Sequence, residues 1–392
     1  MTRRATGVDM AEDTAQGTDQ GVARFFDSRA AYLLFSTATN EKPVVAARIG
    51  EELDRIGPGP DALRVLDAGM GDATVLTQLM RRLHQSFTHV PWLVVGKEIS
   101  IEDVRLSLDK LADRFYEHPE MVFVVTNMYY KEAPHLMPAK EEAAADLSWR
   151  TVPLEGSTAY DFSSQIRALY PTLVEEWAVR TSPKTGNPLY VRPSVLVLYR
   201  KDREFVLDDV IPRPEAGERH YDLVIASQPY RARTSIEHKM RIVITPLARV
   251  LAPGGRMVVI HSHGDDPGME IIRGVWPDED PFQTDRHLLA KAAEDFFTAP
   301  GDENLRFESL TDDEAIFRYQ LHAMSSEVQE HIGTSLIVAA WNAATYVAQI
   351  DEERLAEAVS SGRYVPATRE VIQKHQGVWF NDEAFVISRA EE

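Results

Sequence analysis

Short unbroken apolar runs alternate along this chain with stretches whose apolar positions return every three to four residues. The runs predict strands at Arg64–Leu66, Pro91–Gly96, Met121–Thr126, Tyr221–Ala226 and Arg256–Ile260, with two more at Glu314–Met324 and Glu383–Ser388. The helical period predicts helices over Thr74–His84, Ile101–Tyr116, Phe162–Arg180, residues 236–251, Asp285–Phe297 and Thr334–Val359. Glu102 and Asp103 stand in the first turn of the second of these, where negative charge suits a helix start. Between Val22 and Ile56 the apolar positions predict two helices interrupted near Asn40–Pro43, and Gly57-Pro58-Gly59-Pro60 ends the second. Residues 1–20 are polar, poor in large apolar groups, and read as a disordered tail.

Strands alternating with helices predict an α/β fold whose parallel strands are buried on both faces. The final strand is expected to pair antiparallel, at an edge. Lys131–His220 interrupts the alternation and is too long for an ordinary connection, typically about 4–6 residues in a compact domain. Within it Ser194–Tyr199 and Glu204–Leu207 read as a strand pair joined by the charged turn Arg200–Arg203, and Thr185-Gly186-Asn187 as a turn. The expected organisation is a helical lid over 21–60, a main domain formed by 61–130 and 220–392, and a cap over 131–219 inserted between the third and fourth strands. The cap is read as a substrate-recognition or dimerisation element. Trp341, Tyr346 and Val347 make the last long helix apolar enough to bury against a partner subunit or the cap, so a homodimer stays open.

The most informative stretch is Arg64–Leu76, RVLDAGMGDATVL: a strand, a turn with Gly69 and Gly71, and a helix start. Glycines let a backbone approach a ligand or take positive φ, and a nucleotide-binding βα unit opens in this way. The acidic Glu98 follows the second strand, where a carboxylate accepts hydrogen bonds from ribose hydroxyls. Asp67-Ala68-Gly69-Met70-Gly71-Asp72-Ala73 resembles the first motif of class I S-adenosylmethionine-dependent methyltransferases, and VVGKEIS at 94–100 resembles their second. YDLVIASQPY at 221–230 is similar to their fourth-strand motif, and LARVLAPGGRMVVIHSHG at 247–264 to the helix, turn and fifth strand after it. Ala73 stands where a third glycine is common, and Asn127 where an acidic residue often contacts adenine. The resemblance implies a Rossmann-like, doubly wound, seven-stranded mixed sheet with S-adenosyl-L-methionine as cofactor. It implies cofactor contacts from Asp67, Gly69, Met70, Gly71, Glu98, Ile99, Asn127, Met128 and Ser227.

Ser227-Gln228-Pro229-Tyr230 resembles the Ser/Asn/Asp-Pro-Pro-Tyr/Phe motif of amino-methyltransferases, with Gln228 in place of the first proline. In that motif the polar residue and a backbone carbonyl hold the target amine while the ring packs on it, which makes Ser227 and Tyr230 candidate catalytic residues. Tyr230 could equally be a turn residue packed on the cofactor. His261 and His263 follow the fifth strand one residue apart, ahead of Asp265 and Asp266. They suit a general base or substrate ligand, a polar strand end, or less readily a metal pair, and no metal is expected. The aromatic group Phe25, Phe26 and Tyr32 is either packing or a substrate-contacting lid, and Tyr129 and Tyr130 either loop packing or adenine contacts.

Composition narrows the class. The 392 residues carry a formal charge of −19, spread along the chain, so polyanions are repelled and nucleic acid is an unfavoured substrate. Arg231, Arg233, Lys239 and Arg241 form a local basic run that reads as a solvated helix face or an anion site. Without cysteine there is neither a disulfide nor a thiol nucleophile, which fits a reducing compartment. No apolar run reaches the ~20 residues that cross a bilayer, and the polar start lacks a signal-peptide core, so a cytoplasmic protein without a membrane partner is expected. The function these readings favour is methyl transfer to a small molecule, at nitrogen. Methylation of a protein side chain, aminopropyl transfer on a similar fold, and a catalytically silent cofactor-binding subunit are the alternatives.

Overall fold

The computed structural model describes residues 29–183, 186–214, 217, 219–329 and 332–391. The expected tail over 1–20, Phe25, Phe26 and Thr185 lie outside the described residues. Five strands make the parallel heart of the sheet: β1 (Leu63–Asp67), β2 (Trp92–Lys97), β3 (Met121–Thr126), β8 (Tyr221–Ser227) and β9 (Leu251–Ser262). They stand in the order β3-β2-β1-β8-β9. The chain winds outward from β1 to β3, then returns to the other side of β1 as β8. The switch point between β1 and β8 is where doubly wound sheets bind ligands, at the carboxyl ends of the strands.

The near-continuous apolar character of these strands follows from burial on both faces. Val65, Val94, Phe123, Leu223 and Val258 point to one side, into a core shared with the helix Thr74–Ser86. Their neighbours Leu66, Leu93, Val122, Val224 and Val259 point to the other, against Met240, Val243 and Leu247. A third core joins Thr334–Val347, Tyr364–His375 and Pro267–Val275.

The sheet has ten strands, not the expected seven. The insert supplies β4 (Ser148–Leu154) and β7 (Ser194–Arg200), which continue the sheet beyond β3. β7 runs antiparallel to β3, with Val124 opposite Val197, and β4 lies parallel to β7. All seven residues of β7 are buried, which explains an apolar run as dense as the central strands. The expected partner of this strand, Glu204–Leu207, is instead one turn of helix with Phe205 exposed. Phe162–Arg180, expected as one helix, is two, Ala159–Ala168 and Tyr170–Glu176, because Pro171 opens a second turn. A hairpin of β5 (Val179–Thr181) and β6 (Pro188–Tyr190) follows, around the expected turn.

At the other edge β12 (Trp379–Arg389) pairs antiparallel with β9, as expected of the last strand, but is not an edge strand. It carries both β10 (Leu305–Phe307) and β11 (Ile316–Gln320) on its far side. The sixth strand expected over Glu314–Met324 is thus the shorter β11, and β10 was not foreseen, three residues being too few to show a period. The helix expected over Thr334–Val359 is broken in two because Gln349 takes a left-handed φ of 53° and Asp351 caps a new start at Glu352. Tyr32 and Phe35 of α1 (Arg29–Ala38) and Glu41 and Lys42 at the start of α2 (Glu41–Gly50) reach the carboxyl ends of the strands, while Val45 and Ile49 of α2 join the first core.

Candidate active site

The turn after β1 is fixed almost atom by atom. Ala68 N–H donates to Ile225 O at 2.8 Å and Met70 N–H to Lys97 O at 3.2 Å, tying the turn to both neighbouring strands. Gly69 N–H donates to Asp67 Oδ1 at 3.2 Å, and Gly71 N–H to Glu98 Oε2 at 3.1 Å. Gly71 takes φ 52° and Ala73 φ 57°, so the position of the missing third glycine is an alanine held in the left-handed region. That conformation costs about 1–2 kcal/mol in a non-glycine residue, opposed here by full burial of the methyl group. Gly96 is glycine because a Cβ there would collide with Met70 Sδ. Asp72 accepts from Thr74 N and from Lys110 Nζ, at 3.1 and 2.8 Å. Burial drives the Asp67 carboxyl up to about 7 and raises that of Glu98.

Above this turn opens a cavity of about 560 Å³. One half is lined by Asp67, Gly69, Met70, Gly71 and Ser100, at the ends of β1 and β2. The other is lined by Ser227 at the end of β8, Gln228, Pro229 and Tyr230 after it, Ser262 at the end of β9 and Tyr319 of β11. Tyr32, Phe35, Glu41 and Lys42 of α1 and α2 roof the junction. A larger cavity of about 930 Å³ lies between Arg64, Asp222, Pro253 and Gly254, at the amino-terminal ends of the strands and away from Gly69, Gly71, Ser227 and Tyr230.

The Ser227–Tyr230 turn is held by side chains rather than by a proline. Gln228 takes φ 48°, which a proline ring, confined near −65°, could not adopt. Its Nε2 donates to both Asp382 oxygens at 3.3 Å and to Ser262 Oγ at 3.2 Å. Tyr130 Oη donates to Pro229 O at 2.7 Å. The Ser227 hydroxyl and the Gln228 carbonyl have no hydrogen-bond partner among the described residues.

Tyr230 Oη lies 3.0 Å from His261 Nδ1, and His261 Nε2 lies 2.9 Å from Glu383 Oε2. Glu383 also accepts from Arg286 Nη1 at 2.6 Å. The ionised carboxylate fixes Nε2 as the protonated ring nitrogen, so Nδ1 accepts the Tyr230 hydroxyl. Lys239 Nζ stands 5.0 Å from the centre of the Tyr230 ring, and burial lowers it to about 8. His263 does not join this chain. Its backbone N–H donates to Asn381 O, and among the described residues no group of three acids or histidines is placed to hold a metal ion.

The structure places two expected cofactor residues elsewhere. Asn127 is fully buried: its Oδ1 accepts from Ser194 N at 2.9 Å, and its Nδ2 donates to Arg192 O at 2.9 Å and Glu176 O at 3.4 Å. Its amide therefore fastens the insert to β3 instead of facing adenine. Met128 is fully buried in the core beside Val124 and Val195. Neither Glu98 nor Ile99 lines the cavity; Ser100 does, and its N–H donates to Glu98 Oε1 at 2.8 Å. Residues that were not singled out include Glu41, Lys42, Asp382 and Glu383. Two consecutive acids in the otherwise apolar run Asp382–Ile387 were the available signal, since a carboxylate in a buried strand requires a partner.

No family model matches this chain and no curated protein matches it. Among solved structures 107 chains match. One is an S-adenosylmethionine-dependent methyltransferase from Geobacter sulfurreducens in complex with S-adenosyl-L-homocysteine, at 12% identity over 93% of this chain and 99% of that one, with a TM-score of 0.34. Another is geranyl diphosphate C-methyltransferase from Streptomyces coelicolor A3(2), in complex with Mg2+, geranyl-S-thiolodiphosphate and S-adenosyl-L-homocysteine, at 11% identity over 88% of this chain and 76% of that one, with a TM-score of 0.31. At identities and scores this low, the functional reading rests on this chain's own strand order and site. The parallel order, the glycine turn after β1 and the acid after β2 resemble those of class I S-adenosylmethionine-dependent methyltransferases.

Proposed function

We propose that this protein is an S-adenosylmethionine-dependent methyltransferase acting on nitrogen in a small molecule. The observation that carries the reading is the single cavity spanning both sides of the β1–β8 switch point, with the glycine turn on one side and the free Ser227 hydroxyl and Gln228 carbonyl on the other. The residues fit the cofactor. A Cβ on Gly69 would meet nothing within 4 Å, so that glycine fronts open space, and Glu98 accepts backbone N–H groups from Gly71, Ile99 and Ser100, which leaves a carboxylate lone pair for a ribose hydroxyl. When bound, the cofactor supplies a methyl group made electrophilic by its sulfonium.

The rest of the work is positioning. Asp67, Gly69, Met70 and Gly71 hold the cofactor against the turn, and Glu98 holds its ribose. Ser227 and the Gln228 carbonyl accept N–H bonds from the acceptor and aim its lone pair. The Tyr230 ring closes the same wall, and His261 acts through Tyr230 as a positioning residue, since its Nδ1 faces that hydroxyl. His263 has no part in this scheme. No helix among the described residues is long and apolar enough to cross a membrane. The charge of −19 favours an acceptor other than nucleic acid.

The test is incubation with methyl-labelled S-adenosylmethionine and a cell extract resolved by size. Label entering the low-molecular-mass fraction supports the proposal. Label confined to protein would replace it with side-chain methylation, and label in nucleic acid would contradict the charge argument.

A further inference from the structure

Resting on the reading above, we infer that the acceptor is an amine recognised as its ammonium by Glu41 inside an aromatic box on the β8–β9 side of the cavity. Phe35 stacks on Tyr346 with ring centres 4.7 Å apart, Tyr32 lies 6.3 Å from Tyr346, and Phe35 meets Tyr319 edge-on at 6.1 Å. All four rings and Glu41 line the cavity. An array of aromatic faces attracts a cation through the ring quadrupoles and is of little use to an anion.

Glu41 supplies the charge. It is 6% exposed, and its Oε2 is sealed from solvent with no hydrogen-bond donor. Lys42 Nζ forms an ion pair with Oε2 at 3.6 Å, too long for a hydrogen bond, and both it and Arg29 lie over the Tyr32 ring, 5.2 and 5.7 Å from its centre. A buried carboxylate oxygen without a donor is costly and is relieved by a ligand N–H. Burial, and then repulsion from Glu41 and Asp266, holds the Asp382 carboxyl well above its usual range, which leaves Glu41 as the anion of the box.

Position assigns this group to the acceptor rather than the cofactor. Asp382 pairs with Ser262 at the end of β9, and Tyr319 belongs to β11, which β12, β9 and β8 separate from β1 and its glycine turn. Tyr32, whose hydroxyl would stand 3.8 Å from a Cβ on Gly71, is the wall of the box toward the glycine turn, so an amine held here lies between that turn and Ser227. It must lose its proton before it attacks, so recognition as ammonium and reaction as free amine are separate events at the site.

The experiment is calorimetry on the full chain loaded with S-adenosylhomocysteine, using a panel of alkyl and arylalkyl primary amines, each paired with the alcohol of the same skeleton. The inference expects one or more amines to bind about tenfold or more tighter than the matching alcohol, as a charge-assisted bond implies. Glu41→Gln should abolish that preference and Glu41→Asp should restore part of it, both with unchanged affinity for S-adenosylhomocysteine. Equal binding of amines and alcohols, a preference that survives Glu41→Gln, or no amine binding to the loaded protein would overturn the inference while leaving the cofactor reading intact. Failure of S-adenosylhomocysteine to bind at all would overturn both. Should Glu41→Gln misfold, the wild-type ratio and Glu41→Asp still decide.

Discussion

His261 Nε2 stands 2.9 Å from Glu383 Oε2 across the antiparallel pair β9–β12, where the two residues are direct register partners. A buried imidazole is thereby joined to a buried carboxylate that also receives Arg286. The arrangement orients the ring so that Nδ1 meets Tyr230 at the cavity wall. Breaking one member of such a network leaves another charge uncompensated, and Glu383→Gln is expected to destabilise the protein by roughly 3–5 kcal/mol in chemical denaturation.

The same pair sets an acid limit. Its hydrogen bonds from His261 and Arg286 outweigh burial and hold the Glu383 carboxyl at about 2, below the usual 4.5, so its contribution is complete above that range and lost as pH falls through about 2. Burial lowers His261, so its ring makes no difference above the ordinary 6.5 and weakens the fold as pH falls below it, where the unfolded chain takes up the proton more readily. Below about 4.5 stability should fall more steeply in the wild type than in Glu383→Gln, which has no carboxyl there to protonate.

Asn127 gives a second prediction. Because its amide bonds Ser194, Arg192 and Glu176, Asn127→Ala should cost about 2–3 kcal/mol by leaving buried backbone groups without partners, and S-adenosylhomocysteine affinity should be unchanged. A large loss of affinity with intact stability would return Asn127 to the adenine site.

The difference between the two readings of Asn127 shows what was legible in the chain. The glycine turn, Glu98 and the five parallel strands are local features, written in runs of three to six residues, and each strand overlaps the stretch the sequence predicts, β9 starting five residues earlier. The pairing of β7 with β3 is not local. Ser194–Arg200 reads as a buried strand, but nothing in its composition says that it extends the main sheet, so the residue that joins them looked like a ligand contact. Gln228 misled in a different way. It replaces a motif proline, and only its φ of 48° and its bonds to Asp382 and Ser262 show that this turn follows a course closed to proline.

Gln228 and Asp382 can be tested together. Gln228→Pro should abolish turnover, since the ring cannot reach a positive φ. Asp382 is fully buried, and a carboxyl raised by burial and by Glu41 and Asp266 weakens the fold as pH climbs above its ordinary 3.8. Asp382→Asn should therefore be at least as stable as wild type at pH 7, with a flatter stability profile above pH 4. Marked destabilisation at pH 7 would show that the ionised carboxylate is needed.

Asp67 should make cofactor binding depend on pH near neutrality. Burial sets its carboxyl at about 7, and the ionised form is the better hydrogen-bond acceptor, so S-adenosylhomocysteine affinity should rise between pH 6 and 8. Asp67→Asn should bind more weakly and show a flat profile over that interval.

The most direct measurement is calorimetric titration of the full chain with S-adenosylhomocysteine, in the wild type and in Glu98→Ala. The account predicts one saturable site in the wild type and a weakening in the variant of about 1.5–3 kcal/mol for each lost bond to the carboxylate. Absence of binding in the wild type, or an affinity untouched by Glu98→Ala, would contradict it.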